Sequence, residues 1–273
     1  MELVRFVRRH RVLCFFVLAY VLAWGAIPWN SFFAPGALLA ALVVAGLTDG
    51  WSGLRDIGAR LVRWRVGWVW YLLAVAVPLA VHAAAVLLNV GLGASAPALD
   101  LLTPWYALPL ALGLHIVSPL GGPLVEEPSF RGYAQPQLQR TRSRLGATAV
   151  MALAVAGWHA PLFLMSTFGA HPIGFATTVA VTFWYGWLFN HASGSSLLTL
   201  VAHGVEGGVR IDSFWSAGPD VERQNWTYAI AWCFVALVLL VADRRYWVGR
   251  SGDDDALRED DAVPTERDSA GTR

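Results

Sequence analysis

The chain has 273 residues, 56% of them hydrophobic and only 14% charged, with a formal net charge of +1. A soluble domain carries roughly 25% charged residues, so a large water-soluble helical protein is excluded. The near-neutral balance, without a basic patch interleaved with aromatics, excludes a nucleic-acid partner.

Apolar runs long enough to cross a bilayer alternate with short polar stretches. They predict spans over 12–29, 33–48, 67–91, 105–127, 145–167, 173–190, 195–210 and 227–243. The fold class is therefore all-α, a polytopic transmembrane helical bundle of about eight spans. The first run follows Arg5, Arg8, Arg9 and Arg11 like a signal sequence, but no small-residue cleavage site comes after it, so it reads as a retained helix. Arg55, Arg60, Arg63 and Arg65 fall between the second and third spans, and Arg131, Arg140, Arg142 and Arg144 between the fourth and fifth. Arg244, Arg245 and Arg250 follow the last span, while the opposite loops carry Asp100, Asp212, Asp220 and Glu222 with Arg223. This asymmetry predicts that both termini are cytoplasmic, in the cell (plasma or inner) membrane. Trp24, Trp29, Trp51, Trp68, Trp70 and Trp105 cluster near span ends, as in any interfacial belt.

Residues 1–250 read as one transmembrane domain, and the acidic, apolar-poor stretch 251–273 as a disordered cytoplasmic tail. The polar, basic stretch 134–144 is expected to lie on anionic headgroups, which makes the lipid bilayer itself a partner. Cys14 and Cys233 each sit in an apolar run and support neither a disulfide frame nor a cysteine metal site.

Ionisable side chains inside spans are costly and mark function. Here they are His82, His115, Glu126, Glu127, His159, His203 and Glu206. The adjacent pair Glu126 and Glu127 opens the string EEPSFRGY, in which Glu127 and Arg131 stand four apart in the favourable order for a helical ion pair. That pairing neutralises Glu127 and leaves Glu126 free to exchange protons. Pro128 is expected to free a carbonyl and bend the helix, opening room for water. An isolated acid–acid–x–x–x–Arg pattern is equally compatible with an interfacial clamp. His159 in GWHAPLF and His203 in VAHGVEGG, on two further spans, shift the balance towards a convergent site.

The strings GGPLVEEPSFRGYAQPQLQR, GWHAPLF and NHASGSSLLTLVAHG together resemble the CPBP family of intramembrane proteases, which groups type II CAAX prenyl endopeptidases with bacterial relatives. Its motifs are E-E-x-x-x-R, F-x-x-x-H and H-x-x-x-N or D, and the likeness covers roughly residues 105–210. The resemblance implies a peptidase in which Glu126 activates a water, His159 assists it, Glu127 and Arg131 support the site, and His203 stabilises the oxyanion. It implies a peptide or membrane-protein substrate and an active site facing the cytoplasmic side. Two positions depart from the pattern. Val155 replaces the aromatic four residues before His159, and Gly207 stands where the last motif has Asn or Asp.

No cofactor is expected. A zinc enzyme would use Glu126, His159 and His203, a set of three ligands, although no HExxH occurs. Ser195 and Ser196 after Gly194 read as the start of a span rather than as nucleophiles. A transporter is disfavoured by the absence of repeats and paired broken helices. The non-enzymatic alternative is an inactive membrane scaffold or immunity-type protein, which the loss of a donor at Gly207 favours. His82, His115 and His171 have no family counterpart and read as packing or loop residues.

Overall fold

The computed structural model describes residues 2–99, 104–208, 214–215 and 218–249, and among them every regular element is helical. The tail from Ser251, together with Arg250, Asp100 and Asp212, lies outside the described residues.

The chain opens with α1 (Glu2–Arg9), α2 (Arg11–Trp24), α3 (Pro35–Leu61) and α4 (Trp68–Gly91). It continues through α5 (Leu108–Ile116), α6 (Pro123–Ser129), a π-helical turn (Phe130–Ala134) and α7 (Gln135–Gln139). The remaining helices are α8 (Arg144–Trp158), α9 (Ala160–Leu164), α10 (Gly174–His191), α11 (Ser196–Gly208), α12 (Pro219–Ala242) and α13 (Arg244–Val248).

Four segments are long and apolar enough to cross a membrane unaided: Arg11–Trp29, Pro35–Leu61, Trp68–Gly91 and Pro219–Ala242. Their outer faces are apolar at helical spacing, as with Ile230, Phe234, Leu237 and Val241 on α12, and such exposed stripes belong against lipid. The other expected spans fall on α5 with α6, on α8 with α9, on α10 and on α11, which are shorter or more polar. Apart from His82 on α4, the ionisable residues within spans lie on these shorter segments.

Three sequence expectations need correction. The span expected over 105–127 is not continuous. It stops after Ile116 and restarts at Pro123, because Pro119 has no N–H to continue the helix and Gly122 takes φ +79°, a conformation that glycine adopts without strain. The span expected over 33–48 runs on to Leu61 through a kink at Gly50 (φ +64°), so Arg55 and Arg60 are helical rather than in a loop. Finally, α12 begins at Pro219, which places Asp220, Glu222 and Arg223 in its first turns.

Two cores hold the bundle. One joins α2, α3, the π turn and α8 through Phe15, Ala19, Ala37, Ala41, Phe130 and Trp158. The backbones of α2 and α3 approach so closely at Gly36 that a Cβ there would come 2.6 Å from Leu22 Cβ. Small residues achieve in lipid what the hydrophobic effect cannot, since acyl chains are as apolar as leucine. The second core joins α4, α10, α11 and α12 through Ala85, Trp184, Leu188, Ala202 and Trp232. The π turn, α8, α10 and α11 frame a polar cavity between these two cores.

Candidate active site

Pro123 opens α6 at a position where its missing N–H costs nothing, which fixes where the turn carrying the glutamates begins. Consecutive helical residues point about 100° apart, so Glu126 and Glu127 face different surroundings. The bend expected at Pro128 takes another form. Proline leaves the Leu124 carbonyl without its helical donor, the Ser129 hydroxyl donates back to the Val125 and Glu126 carbonyls (2.7 and 2.9 Å), and the helix widens into the π turn. Such turns insert a residue without breaking the rod.

Glu127 is fully buried, and its Oε1 accepts from Arg131 Nη1 at 3.1 Å and from His203 Nδ1 at 2.9 Å. The Arg131 guanidinium lies 4.8 Å from the centre of the Tyr185 ring, and that ring stacks on His203 at 5.4 Å. Four side chains, from α6, the π turn, α10 and α11, thus close a loop around one buried charge. Charges taken out of water require such compensation, and removing one member leaves the others exposed to the full desolvation penalty.

Glu126 has a looser environment. Its Oε2 stands 3.6 Å from His159 Nε2, beyond direct hydrogen-bonding range but suited to a shared water. His159 ends α8, at the junction with α9 rather than well inside a span. Its Nδ1 lies 2.9 Å from the Val155 carbonyl, which can only accept, so the ring proton sits on Nδ1 and Nε2 offers a lone pair towards Glu126. Both residues line a cavity of about 110 Å³, walled further by Arg131, Thr182, Tyr185, His203 and Glu206. At about 30 Å³ per molecule this is room for a few waters.

The five residues to which the family resemblance gives roles, Glu126, Glu127, Arg131, His159 and His203, therefore converge. Two further residues, Glu206, given no role in the sequence reading, and His115, read there as packing, stand at the site as well. Glu206 lines the same cavity, its Oε1 accepting from the Tyr228 hydroxyl at 2.7 Å while its backbone carbonyl meets His82 Nε2 at 3.0 Å. His115 packs against Gly207, where a Cβ would stand 3.0 Å from the imidazole Nε2. That nitrogen is buried and has no hydrogen-bond partner. The place a side chain at 207 would occupy is filled from α5. The break after Ile116 is what lets α5 meet α11 there, and no spacing in the sequence could have disclosed it.

Other candidates fall away. Asn190, at the end of α10, does not stand in for the Asn or Asp missing at Gly207, since it donates to the Gly186 carbonyl and the Tyr246 hydroxyl, outside the cavity wall. The Ser195 hydroxyl donates to the Arg63 carbonyl and accepts from the Leu198 N–H, as a helix cap does. His171 pairs with Glu222 at 2.9 Å, away from the site. Glu126, His159 and His203 share the cavity, but among the described residues no three His, Cys, Asp or Glu side chains are gathered as a metal-binding group. His203 also has Nδ1 committed to Glu127.

Residues 104–207 match a family model described as type II CAAX prenyl endopeptidase Rce1-like. The matched stretch contains Glu126, Arg131, His159 and His203, which line the cavity, and the buried Glu127 behind them, and it ends at Gly207. A comparison with curated proteins finds no match.

Proposed function

We propose that the chain is an intramembrane endopeptidase that hydrolyses a peptide bond in a membrane-associated peptide or protein by a glutamate-activated water. The observation that carries this reading is the contrast between the two adjacent carboxylates. Glu127 is held by a cation and an imidazole, while Glu126 faces a small polar cavity beside the lone pair of His159.

In this mechanism a water bridges Glu126 Oε2 and His159 Nε2. Glu126 takes its proton as the oxygen attacks the scissile carbonyl carbon, and the carbonyl electrons move onto oxygen. The oxyanion is met by His203, which as the imidazolium gives Nδ1–H to Glu127 and offers Nε2–H to the cavity, with His115 close behind it at Gly207, where the family motif has Asn or Asp. Collapse of the tetrahedral intermediate breaks the C–N bond, and Glu126 returns its proton to the leaving amine. A positioned base contributes about 10²–10⁴-fold and an oxyanion donor about 10²–10³-fold. No step requires a metal.

The test is cleavage of quenched-fluorescent peptides, with and without a C-terminal prenyl group, by wild type and Glu126→Gln in liposomes. Cleavage by wild type and its loss in the variant supports the reading. Two folded proteins equally inert towards the whole panel would replace it with the inactive-scaffold alternative. Preference for the prenylated member would define the substrate class.

A further inference from the structure

At the arginine-rich end of the bundle a second concavity, about 530 Å³, is lined by Arg60, Arg63 and Arg140 with Gln139, Asn190 and Ser193. We propose that it is a binding site for a phosphate group, of the kind carried by an anionic phospholipid headgroup or by a free phosphate ester.

Three observations carry this. The guanidiniums come from two separate parts of the chain, the end of α3 and the end of α7, and are close enough that Arg63 and Arg140 both act electrostatically on Arg60. No carboxylate lines the cavity, and Asp56 is the acid acting on Arg60 against those two cations. Like charges held together on a folded surface call for a counter-ion, and three planar forks suit the oxygens of a phosphate.

Two of the arginines are also fixed rather than waving in solvent. Arg60 Nη1 donates to the Asp56 and Gly132 carbonyls at 3.2 and 3.3 Å, and Arg63 Nη1 donates to the Ser193 carbonyl. Ser193 and Gly194 turn the chain back with φ of +56° and +74°, which presents that carbonyl. Each guanidinium has five donors, so most remain for a ligand. Arg140 is exposed, with no hydrogen bond or ion pair among the described residues.

A solvated basic face would be the ordinary reading of such a cluster. It does not account for a concave wall without acids, nor for guanidiniums pinned through one nitrogen with the others left over. The site is separate from the catalytic cavity, with which it shares no lining residue. It does reach the π turn through the Arg60 bond to Gly132, one residue from Arg131.

The experiment titrates the purified full chain, in neutral detergent, with phosphatidylglycerol in mixed micelles, with phosphatidylcholine, and with inorganic phosphate. Arg63→Gln/Arg140→Gln is compared with Arg8→Gln/Arg9→Gln, which removes equal charge from exposed positions on α1. The pocket variant is expected to weaken phosphatidylglycerol binding tenfold or more, and the control less than twofold. Arg140→Gln alone, which disturbs no described contact, keeps the fold and is expected to show a threefold loss. Saturable binding of inorganic phosphate that the pocket variant abolishes assigns the site to a free phosphate. Binding of phosphatidylglycerol alone assigns it to a headgroup. Equal losses in both double variants, or none in either, overturn the proposal.

Discussion

Glu126 and Glu127 are neighbours in sequence, yet they live in different physical regimes. Around Glu127 one carboxylate oxygen is held by both Arg131 and His203, and the Tyr185 ring packs against those two cationic partners. Around Glu126 the nearest partner is 3.6 Å away across a space fit for water. In the proposed mechanism the first carboxylate is structural because its charge is already answered, and the second is the base because its charge is not. The lesson is that a pair of identical residues in a membrane need not form a symmetric dyad. A 100° turn of helix suffices to divide the roles.

The comparison can be broken most severely at Glu126. Glu126→Gln is expected to lower kcat/KM for a cleavable peptide by about 10³-fold or more, with thermal unfolding in detergent unchanged. Arg131→Met should show the reverse emphasis, since it leaves Glu127 buried without its cation. A loss of about 3–5 kcal/mol in unfolding free energy is expected, read as a large drop in midpoint temperature and in folded yield. His203→Ala touches both regimes, and a fall of about 10²-fold in kcat with a smaller change in KM is expected from the lost donor.

A subtler probe is the exchange of His115 for a side chain at 207. His115→Ala is expected to reduce kcat about tenfold, in line with one lost hydrogen bond of about 1–1.5 kcal/mol. Adding Gly207→Asn to that variant should restore part of the loss, whereas Gly207→Asn alone should crowd the imidazole and destabilise the protein. Additive stability changes for the two substitutions would show that the residues do not share one place. The smallest effect expected is that of a chelator. Wild-type cleavage should be unchanged by it, and inactivation reversed by zinc would turn Glu126, His159 and His203 into ligands instead.

Much of this was legible in the chain itself. The spacing of Glu127 and Arg131 is a local, helical fact, and the structure pairs them at 3.1 Å. The long apolar runs of α2, α4 and α12 declared themselves through composition alone. What stayed hidden depends on tertiary packing. Glu206 faces the cavity because Tyr228 on α12 and His82 on α4 hold its turn of α11 in place. His115 meets Gly207, 92 positions further along the chain, because the helix that a hydropathy run makes continuous is cut at 117–122. Hydropathy averages over a window and cannot see a Pro–Gly break inside one, nor which of two helix faces a neighbour will choose.

The π turn at Phe130–Ala134 has a consequence of its own. It works as a phase shifter. One surplus residue advances everything downstream by about 100° relative to an α-helix of the same endpoints. With that offset, the turn bearing Glu126 is aimed at the cavity while Leu138 and Gln139, beyond it, are buried on the bundle side. A chain shortened by Gly132 would keep every catalytic side chain and every span, and would still point them in the wrong direction. In this segment it is the count of residues, as much as their identity, that sets the chemistry.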